Sequence, residues 1–351
     1  MSLEAILRGS SSSPTSFVAF QSSAAQSSLP LLRSLLAQTR SRVVLCNVLY
    51  PLRVLVDEVP GERVDIIDCT ADIPGYSDHG GDCRERLLSA VRVVEPSQPL
   101  TVVIDSLDTL LANLHSKAAV HAFLSAIMSV ISTRPSSRLV VHALAPSALP
   151  VLAYLIPPAF SSSLVHITAH TPALLVHLAH SLSTPPPPLS PPEKFWNVFL
   201  PIASRPFDVE ELAFGNAGEG SGASNEVVVE VLVRGDSGDN TGRRRKGVER
   251  TLEGWVASKA AACELNDLPS LRSIYTGKSP SVESATTPDP THNMSFNLTL
   301  TAEQQQSRTQ VPLPYAHTGG AAPAAQTSAI LYDPDSADDI DDDDPDEDLD
   351  I

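Results

Sequence analysis

Short runs of apolar residues alternate with amphipathic stretches along the first half of the chain. The runs are rich in Val, Ile and Leu, which favours buried strands, and the stretches between them have helical spacing. The pattern predicts strands at 15–20, 42–50, 63–70, 100–105, 138–144 and 163–168, and helices at 29–40, 82–94 and 106 to about 133. Strands that are apolar throughout are typical of a parallel sheet covered on both faces. The predicted fold class is α/β, with a mostly parallel sheet flanked by helices.

The pattern changes after residue 180. A proline-rich stretch, SLSTPPPPLSPPE (181–193), predicts a stiff linker or excursion. Two further apolar runs, 226–234 and 248–257, flank the segment GDSGDNTGRRRKG, so we expect a C-terminal β-hairpin with a long basic loop. From about residue 258 the apolar pattern weakens, and the sequence predicts a disordered linker.

The net charge of −17 is concentrated at one end of the chain. Residues 333–351 contain 12 acids and no base, so the rest of the chain carries only −5. A segment of this composition cannot bury enough apolar surface to fold alone, and we expect a disordered acidic tail. The tail is either a solvating segment or a docking peptide for a basic surface, and its apolar Leu349 and Ile351 favour docking.

The composition predicts a soluble protein of the cytoplasm and nucleus. The N-terminus lacks a basic segment followed by a long apolar core, and no apolar stretch approaches the length of a membrane span. The cysteines, Cys46, Cys69, Cys83 and Cys263, are scattered without a CxxC pair, so we expect reduced thiols and no metal site.

A nucleotide site on such a sheet would lie between the first strand and the next helix. Closely spaced glycines there let backbone N–H groups face the phosphates, and a lysine reaches the β and γ oxygens. The corresponding segment here is QSSAAQSS (21–28), which contains no Gly and no Lys. The sequence therefore predicts that the phosphate-binding loop is absent.

Asp105 ends the strand LTVVID and is the strongest single candidate for chemistry. In nucleotide hydrolases an acid at such a position holds the Mg²⁺ of a bound triphosphate. The structural alternative is a helix N-cap at the strand end, with Ser106, Asp108 and Thr109 stabilising the first turn. Both interpretations fit the residues, and the missing phosphate loop favours the structural one.

Other constellations are incomplete. The pairs His166/His170 and His177/His180 have spacings that could bring two imidazoles together, but no Cys or acid completes a ligand set. Gly218-x-Gly220 follows a helix-like segment instead of a strand, so we interpret it as a flexible linker. The sequence offers no Ser/His/Asp or Cys/His arrangement, and we predict no catalytic residue and no cofactor.

The one concentrated basic feature is formed by four consecutive residues, Arg243, Arg244, Arg245 and Lys246. They could contact the phosphates of a nucleic acid or act as a nuclear-import signal. The alternative is a solvated hairpin tip.

Three stretches of the chain resemble the family of Elongator complex subunit five. The first is the strand and loop lacking a phosphate motif, followed by IDSLDTLL. The second is the hairpin VVVEVLVR…GRRRKGVERTLEGW. The third and most specific is DPTHNMSFNLTLTAEQQQSRTQVPLPY, followed by the acidic LYDPDSADDIDDDDPDEDLDI. The resemblance is weak across 181–225 and 258–288.

The resemblance implies a RecA-like fold that has lost its nucleotide motifs. It implies a non-catalytic subunit that joins subunits four and six in a heterohexameric ring, docks on the catalytic Elongator subcomplex, binds tRNA and supports wobble-uridine (U34) modification. The resemblance assigns no individual residue to tRNA contact, and we take Arg243–Lys246 as candidates on the basis of their charge. Two alternatives remain: an active ATPase with an unorthodox phosphate loop, and an acidic-tailed transcription or chromatin adaptor.

The expected domain organisation has four parts. Residues 1–257 form the RecA-like domain without a phosphate loop, and 258–290 form a disordered linker. Residues 291–316 form a partner-docking segment, in which Phe296, Leu298 and Leu300 alternate as in a strand added to a partner's sheet. Residues 317–351 form a further linker and the acidic tail.

Overall fold

The computed structural model describes residues 2–9, 15–56, 63–72, 82–215, 225–238 and 244–276, with the backbone alone at 236–238 and 244–246. All of these residues belong to one compact unit, Met1–Glu283. They form a nine-stranded sheet with helices on both faces.

The strands in chain order are β1 (Phe17–Ser22), β2 (Arg42–Asn47), β3 (Val64–Asp68), β4 (Leu100–Ile104), β5 (Arg138–Leu144), β6 (Leu164–His170), β7 (Glu226–Gly238), β8 (Arg244–Val256) and β9 (Ala261–Cys263). Their order in the sheet is β3-β2-β4-β5-β1-β6-β7-β8-β9. The pairs among β1 to β6 are parallel, and β7, β8 and β9 join in antiparallel fashion. The carboxyl ends of β1 to β6 therefore meet at one edge of the sheet.

The helices are α1 (Leu3–Arg8), α2 (Leu29–Gln38), α3 (Leu52–Leu55), α4 (Cys83–Val93), α5 (Leu107–Leu114), α6 (Lys117–Ser132), α7 (Leu149–Leu155), α8 (Pro172–Ser181), α9 (Pro192–Ala203), α10 (Pro206–Phe214) and α11 (Arg272–Thr276). In the part of the chain that the structure describes, none of them is long and apolar enough to cross a bilayer.

Alternate residues of the central strands enter separate cores. On β4, Val102 and Ile104 pack with α4 to α7, whereas Val103 packs on the opposite face with α1 to α3. A third cluster joins α8, α9 and α10, centred on Phe195 and Phe199. Burial on both faces explains why the strands are apolar throughout, as a parallel sheet requires.

The predicted fold class is confirmed, since the sheet is mostly parallel, helices flank it and a β-hairpin follows at the C-terminal side. The predicted helix at 106 to about 133 is two helices, because His115 has φ of 51° and ends α5. Ser116 then starts α6 by accepting a hydrogen bond from the N–H of Ala119 (3.3 Å).

Helix α1 was not predicted from the sequence. It is only six residues long, but it buries Leu3, Ile6 and Leu7. Its C-terminal carbonyls accept hydrogen bonds from the buried guanidinium of Arg138, whose Nη1 lies 2.7 Å from the Ile6 oxygen. Burial lowers the pKa of Arg138 to about 10. This tertiary contact holds a helix that is too short to be stable alone.

The proline-rich excursion 181–193 connects α8 to α9 and packs on the body. Thr184 and Ser190 are buried, and the N–H of Thr184 donates to the Leu178 oxygen (2.9 Å). The strands of the hairpin are longer than predicted. The pairing of β7 with β8 extends as far as Gly238 on β7 and Arg244 on β8.

The predicted disordered linker 258–290 is wrong over 258–276. Strand β9 pairs with β8, and the following turns bury Leu265, Leu268 and Leu271 against the third core cluster. These leucines recur every three residues, but Pro269 and the polar residues between them obscured the pattern. Residues 277–290, the docking segment 291–316 and the segment 317–351 lie outside the described residues.

Candidate functional site at the carboxyl edge of the sheet

The loop from β1 to α2 closes on itself through buried serines. The hydroxyl of Ser22, the last residue of β1, accepts the N–H of Ser28 at 2.8 Å and lies 2.9 Å from the Ser28 hydroxyl. Ser22 also lies 2.8 Å from Nε2 of His142, which comes from β5. All three residues are buried, so the loop carries its own polar partners at the position where a phosphate would lie.

Helix α2 has no free amide at its N-terminus for an anion. The N–H of Ser28 donates to Ser22, and that of Leu29 donates to the Ser27 hydroxyl at 3.2 Å. Pro30 has no N–H, and the N–H of Leu31 donates to the Ser28 oxygen at 3.0 Å. Anion binding at a helix N-terminus depends on these amides. The first backbone amides of α2 are therefore already engaged within the chain.

Asp105 is fully buried after β4 and holds the loop that follows β2. Its Oδ1 accepts the N–H of Val48 at 2.7 Å, and its Oδ2 accepts those of Leu49 and Tyr50 at 3.0 and 2.9 Å. Burial raises the pKa of Asp105, and the three hydrogen bonds act in the opposite direction. Both oxygens face backbone donors, so the geometry is that of a structural acid.

Asp105 is not the helix N-cap that we predicted as its structural role. Ser106 caps α5 by accepting the N–H of Thr109 at 3.2 Å. Asp108 accepts the N–H of Leu144 at 3.3 Å, and so ties α5 to the end of β5. The acid and its neighbours are all structural, but each holds a different element.

His142 connects the serine loop to the Asp105 segment. Its Nδ1 lies 2.9 Å from the backbone oxygen of Asp105, so Nδ1–H donates and Nε2 accepts from the Ser22 hydroxyl. Burial lowers the pKa of His142, which keeps this neutral form. The ring of Tyr50 meets His142 edge-on at 5.7 Å. One hydrogen-bonded unit thus joins the ends of β1, β4 and β5.

The two members of the first histidine pair have separate hydrogen-bond partners. His170 binds Glu230 (Nε2 to Oε2, 2.9 Å), while His166 lies 3.0 Å from Oε1 of Gln21. Burial pushes the pKa of Glu230 upward, but the hydrogen bond and charge of His170 and the charge of Arg250 outweigh it and lower the pKa. His177 and His180 lie on α8, His180 at its exposed end, and in the described part of the chain neither joins a group that could hold a metal.

The structure brings together three cysteines that sequence reasoning treated as scattered. Cys46 on β2, Cys69 just after β3 and Cys83 at the start of α4 place their sulfur atoms within 4.8 Å of one another. Hydrogen bonds from Cys46 and Cys69 lower the pKa of Cys83. Two of these cysteines, Cys46 and Cys69, lie within the predicted strands 42–50 and 63–70, but only the pairing of β2 with β3 makes them neighbours.

The remaining predicted site residues are only partly placed. Arg244, Arg245 and Lys246 begin β8 and pair with residues 236–238, so they belong to a strand and not to the loop that we predicted. Arg243 and the side chains of all four basic residues lie outside what the structure describes, as do Gly218 and Gly220. The docking candidates Phe296, Leu298, Leu300, Leu349 and Ile351 lie outside it too.

Fold and site together define an α/β protein whose first strand–helix loop carries a serine–histidine network in place of glycines and a lysine. The family model described as Elongator subunit Iki1 matches residues 3–333. The chain belongs to this family, as the resemblance in the sequence implied.

Three relatives named Elongator complex protein 5 show how far the likeness extends in single proteins. The human protein is 39% identical over 70 residues, the mouse protein 37% over 70 and the zebrafish (Danio rerio) protein 37% over 68. Each match covers 18% of this chain and 23% of the relative, so the chain spans about a quarter of the length of these curated relatives.

Two solved structures are similar at low scores. A KaiC-like protein from Pyrococcus horikoshii has a TM-score of 0.35 at 9% identity, covering 69% of this chain and 86% of that one. The flagellar accessory protein FlaH from Methanocaldococcus jannaschii has a TM-score of 0.29 at 11% identity, covering 48% and 77%. The fold class rests on the sheet topology described above.

Proposed function

We propose that this chain is a non-catalytic subunit of the Elongator complex. It would adopt a RecA-like fold, join subunits four and six in a heterohexameric ring, bind tRNA through that ring and support wobble-uridine modification. The observation that carries the non-catalytic part is the closed loop at 21–28. Family membership supports the part that concerns Elongator.

A triphosphate would meet three obstacles at this loop. It would have to displace the hydrogen bonds that Ser22 makes to Ser28 and His142. At about 1 kcal/mol each, two lost bonds alone weaken binding by roughly thirtyfold. Residues 21–28 supply no cation to offset the phosphate charge, and the buried Asp105 carboxylate lies on the same hydrogen-bonded unit. These features disfavour the alternative of an active ATPase.

Assembly with other subunits is supported by the exposed face of α10. Phe207 and Phe214 are 77% and 52% exposed and lie seven residues apart, so they share one face of the helix. Large apolar side chains in such a position are typical of a contact surface. We assign this face to a neighbouring subunit of the ring.

Co-expression with subunits four and six tests the assembly. The expected product is a stable complex with two copies of each subunit, measured by native mass spectrometry. Changing Phe207 and Phe214 to Ser should reduce the yield of this complex. The control Val93→Ser, which changes an 84% exposed apolar residue on α4, should not. A monomeric chain that binds neither subunit four nor subunit six would contradict the proposed heterohexameric ring.

Binding of tRNA by the basic segment has its own test in the assembled ring. Changing Arg243–Lys246 to Ala should weaken tRNA binding for all sequences and reduce the salt dependence, because phosphate contacts are lost. The matched control replaces four exposed bases elsewhere, namely Arg92, Lys117, Lys194 and Arg205. Equal effects of both sets would show that only net charge matters.

Deletion of 333–351 addresses the adaptor alternative. An acidic transcription or chromatin adaptor would lose its function with the tail, whereas the ring subunit should still assemble with subunits four and six. Loss of a nuclear interaction with ring assembly intact would favour the adaptor.

A further inference from the structure

Three thiols from three separate elements converge at the carboxyl edge of the sheet, beside β2 and β3. The sulfur of Cys83 lies 2.6 Å from that of Cys69 and 3.4 Å from that of Cys46. Cys46 and Cys69 are buried, and Cys83 is half-buried at the N-terminus of α4. Cys83 follows Cys46 by 37 positions in the sequence, so the fold alone creates this cluster.

A helix N-terminus and a guanidinium lie beside the cluster. Cys83 is the first residue of an 11-residue helix, where the backbone amides stabilise thiolates. The guanidinium of Arg86, one turn further along α4, donates to the backbone oxygen of Asp68 at 2.6 Å and forms an ion pair with Asp72 at 2.7 Å. The charge of Arg86 therefore lies next to the segment that carries Cys69.

We propose that Cys46, Cys69 and Cys83 bind a thiophilic metal ion, with Zn²⁺ as the natural occupant. Three thiolates are the ligands of Cys₃-type zinc sites, and soft thiolates select zinc over magnesium or calcium. The half-exposed side of Cys83 leaves a fourth position for water or an external ligand. The proposal concerns the folding and stability of this subunit and is independent of the ring.

A metal can use all three sulfur atoms, whereas a disulfide between Cys69 and Cys83 would leave the buried thiol of Cys46 unused. Coordination of both Cys69 and Cys83 at about 2.3 Å from one zinc ion requires their sulfur atoms, 2.6 Å apart here, to separate to roughly 3.8 Å. Zinc would also tie β2, β3 and α4 together, and because its binding free energy becomes folding free energy, a chelator should destabilise the chain.

Metal analysis of the full-length chain, purified under reducing conditions, is the direct test. We expect one zinc per chain by elemental analysis, and Cd²⁺ titration of the chelator-treated protein should produce the ultraviolet thiolate-to-cadmium absorption. Cys83→Ser should lower zinc affinity by at least about tenfold, since it removes a ligand outright. Cys263→Ser, a half-buried thiol outside the cluster, is the matched control and should retain the metal.

The outcomes separate cleanly even if one variant folds poorly. Cys83→His retains a zinc-binding side chain and should recover part of the affinity that Cys83→Ser loses. A metal-free chain would overturn the proposal, and a mass lower by two hydrogen atoms in protein purified without reductant would assign two of the thiols to a disulfide. Zinc content unchanged by Cys83→Ser would also overturn it, because the metal would then lie elsewhere.

Discussion

Replacing Asp105 measures how much the fold depends on this buried acid. Asp105→Ala removes the acceptor of three backbone N–H groups, those of Val48, Leu49 and Tyr50. A buried donor left without a partner costs about 1–3 kcal/mol. Allowing for relaxation of the loop, we expect the variant to lose roughly 3–6 kcal/mol of unfolding free energy.

Two further variants make the test specific. Asp105→Asn retains one acceptor oxygen but turns an amide NH₂ toward a backbone donor, so we expect an intermediate loss of roughly 1–3 kcal/mol. Asp108→Ala removes the acceptor of a single N–H at 3.3 Å, and should cost less than about 1 kcal/mol. The order of stability should therefore be wild type, Asp108→Ala, Asp105→Asn and Asp105→Ala.

Urea unfolding of the full chain, followed by the fluorescence of its two tryptophans, measures this order. The comparison uses midpoints at constant slope, because the slope reports the exposed surface. If Asp105→Asn were as stable as the wild type, the three hydrogen bonds would not hold the loop. That result is expected of a carboxylate whose role is to bind a metal ion. Its replacement by a neutral amide would remove the cost of burying a charge and would break no hydrogen bond that holds the loop.

Three other predictions follow from the described contacts. Ser22→Ala leaves His142 Nε2 and the Ser28 N–H unpaired and should cost about 2–4 kcal/mol in urea unfolding, while a cost below about 1 kcal/mol would contradict the closed loop. Arg138→Ala removes the hydrogen-bond donor to the carbonyls at the C-terminal end of α1 and should lower the unfolding free energy by about 2–4 kcal/mol. Replacing a residue of an exposed ion pair should cost less. Burial lowers the pKa of His166 from 6.5 to about 4. The folded chain then binds fewer protons than the unfolded one, so stability present above pH 6.5 should fall toward pH 4 by up to about 3 kcal/mol, and His166→Gln should flatten this profile.

The parallel sheet was predictable because strands that are buried on both faces have uninterrupted runs of Val, Ile and Leu in the sequence. The segment around Leu265, Leu268 and Leu271 has no such run, since its leucines are separated by polar residues and Pro269. Its order comes from packing against α8 and β8, which local sequence does not encode.

Only the lack of phosphate-binding residues at the candidate site was predictable from the sequence. The lack of Gly and Lys in 21–28 is visible in the sequence, but what fills the loop is not. His142 reaches it from β5, 120 residues from Ser22. The same limit applies to Asp105, whose role depends on the loop after β2, and to the cysteine cluster, which depends on β3 lying next to β2.

Titration of Mg·ATP into the full-length chain shows whether the loop at 21–28 is closed to a nucleotide. We expect no binding in calorimetry at millimolar nucleotide, because the hydrogen bonds of Ser22 close this loop. Binding at micromolar concentration that is lost in a folded Asp105→Asn variant would contradict a closed loop. Asp105 would then be a metal ligand of a working nucleotide site.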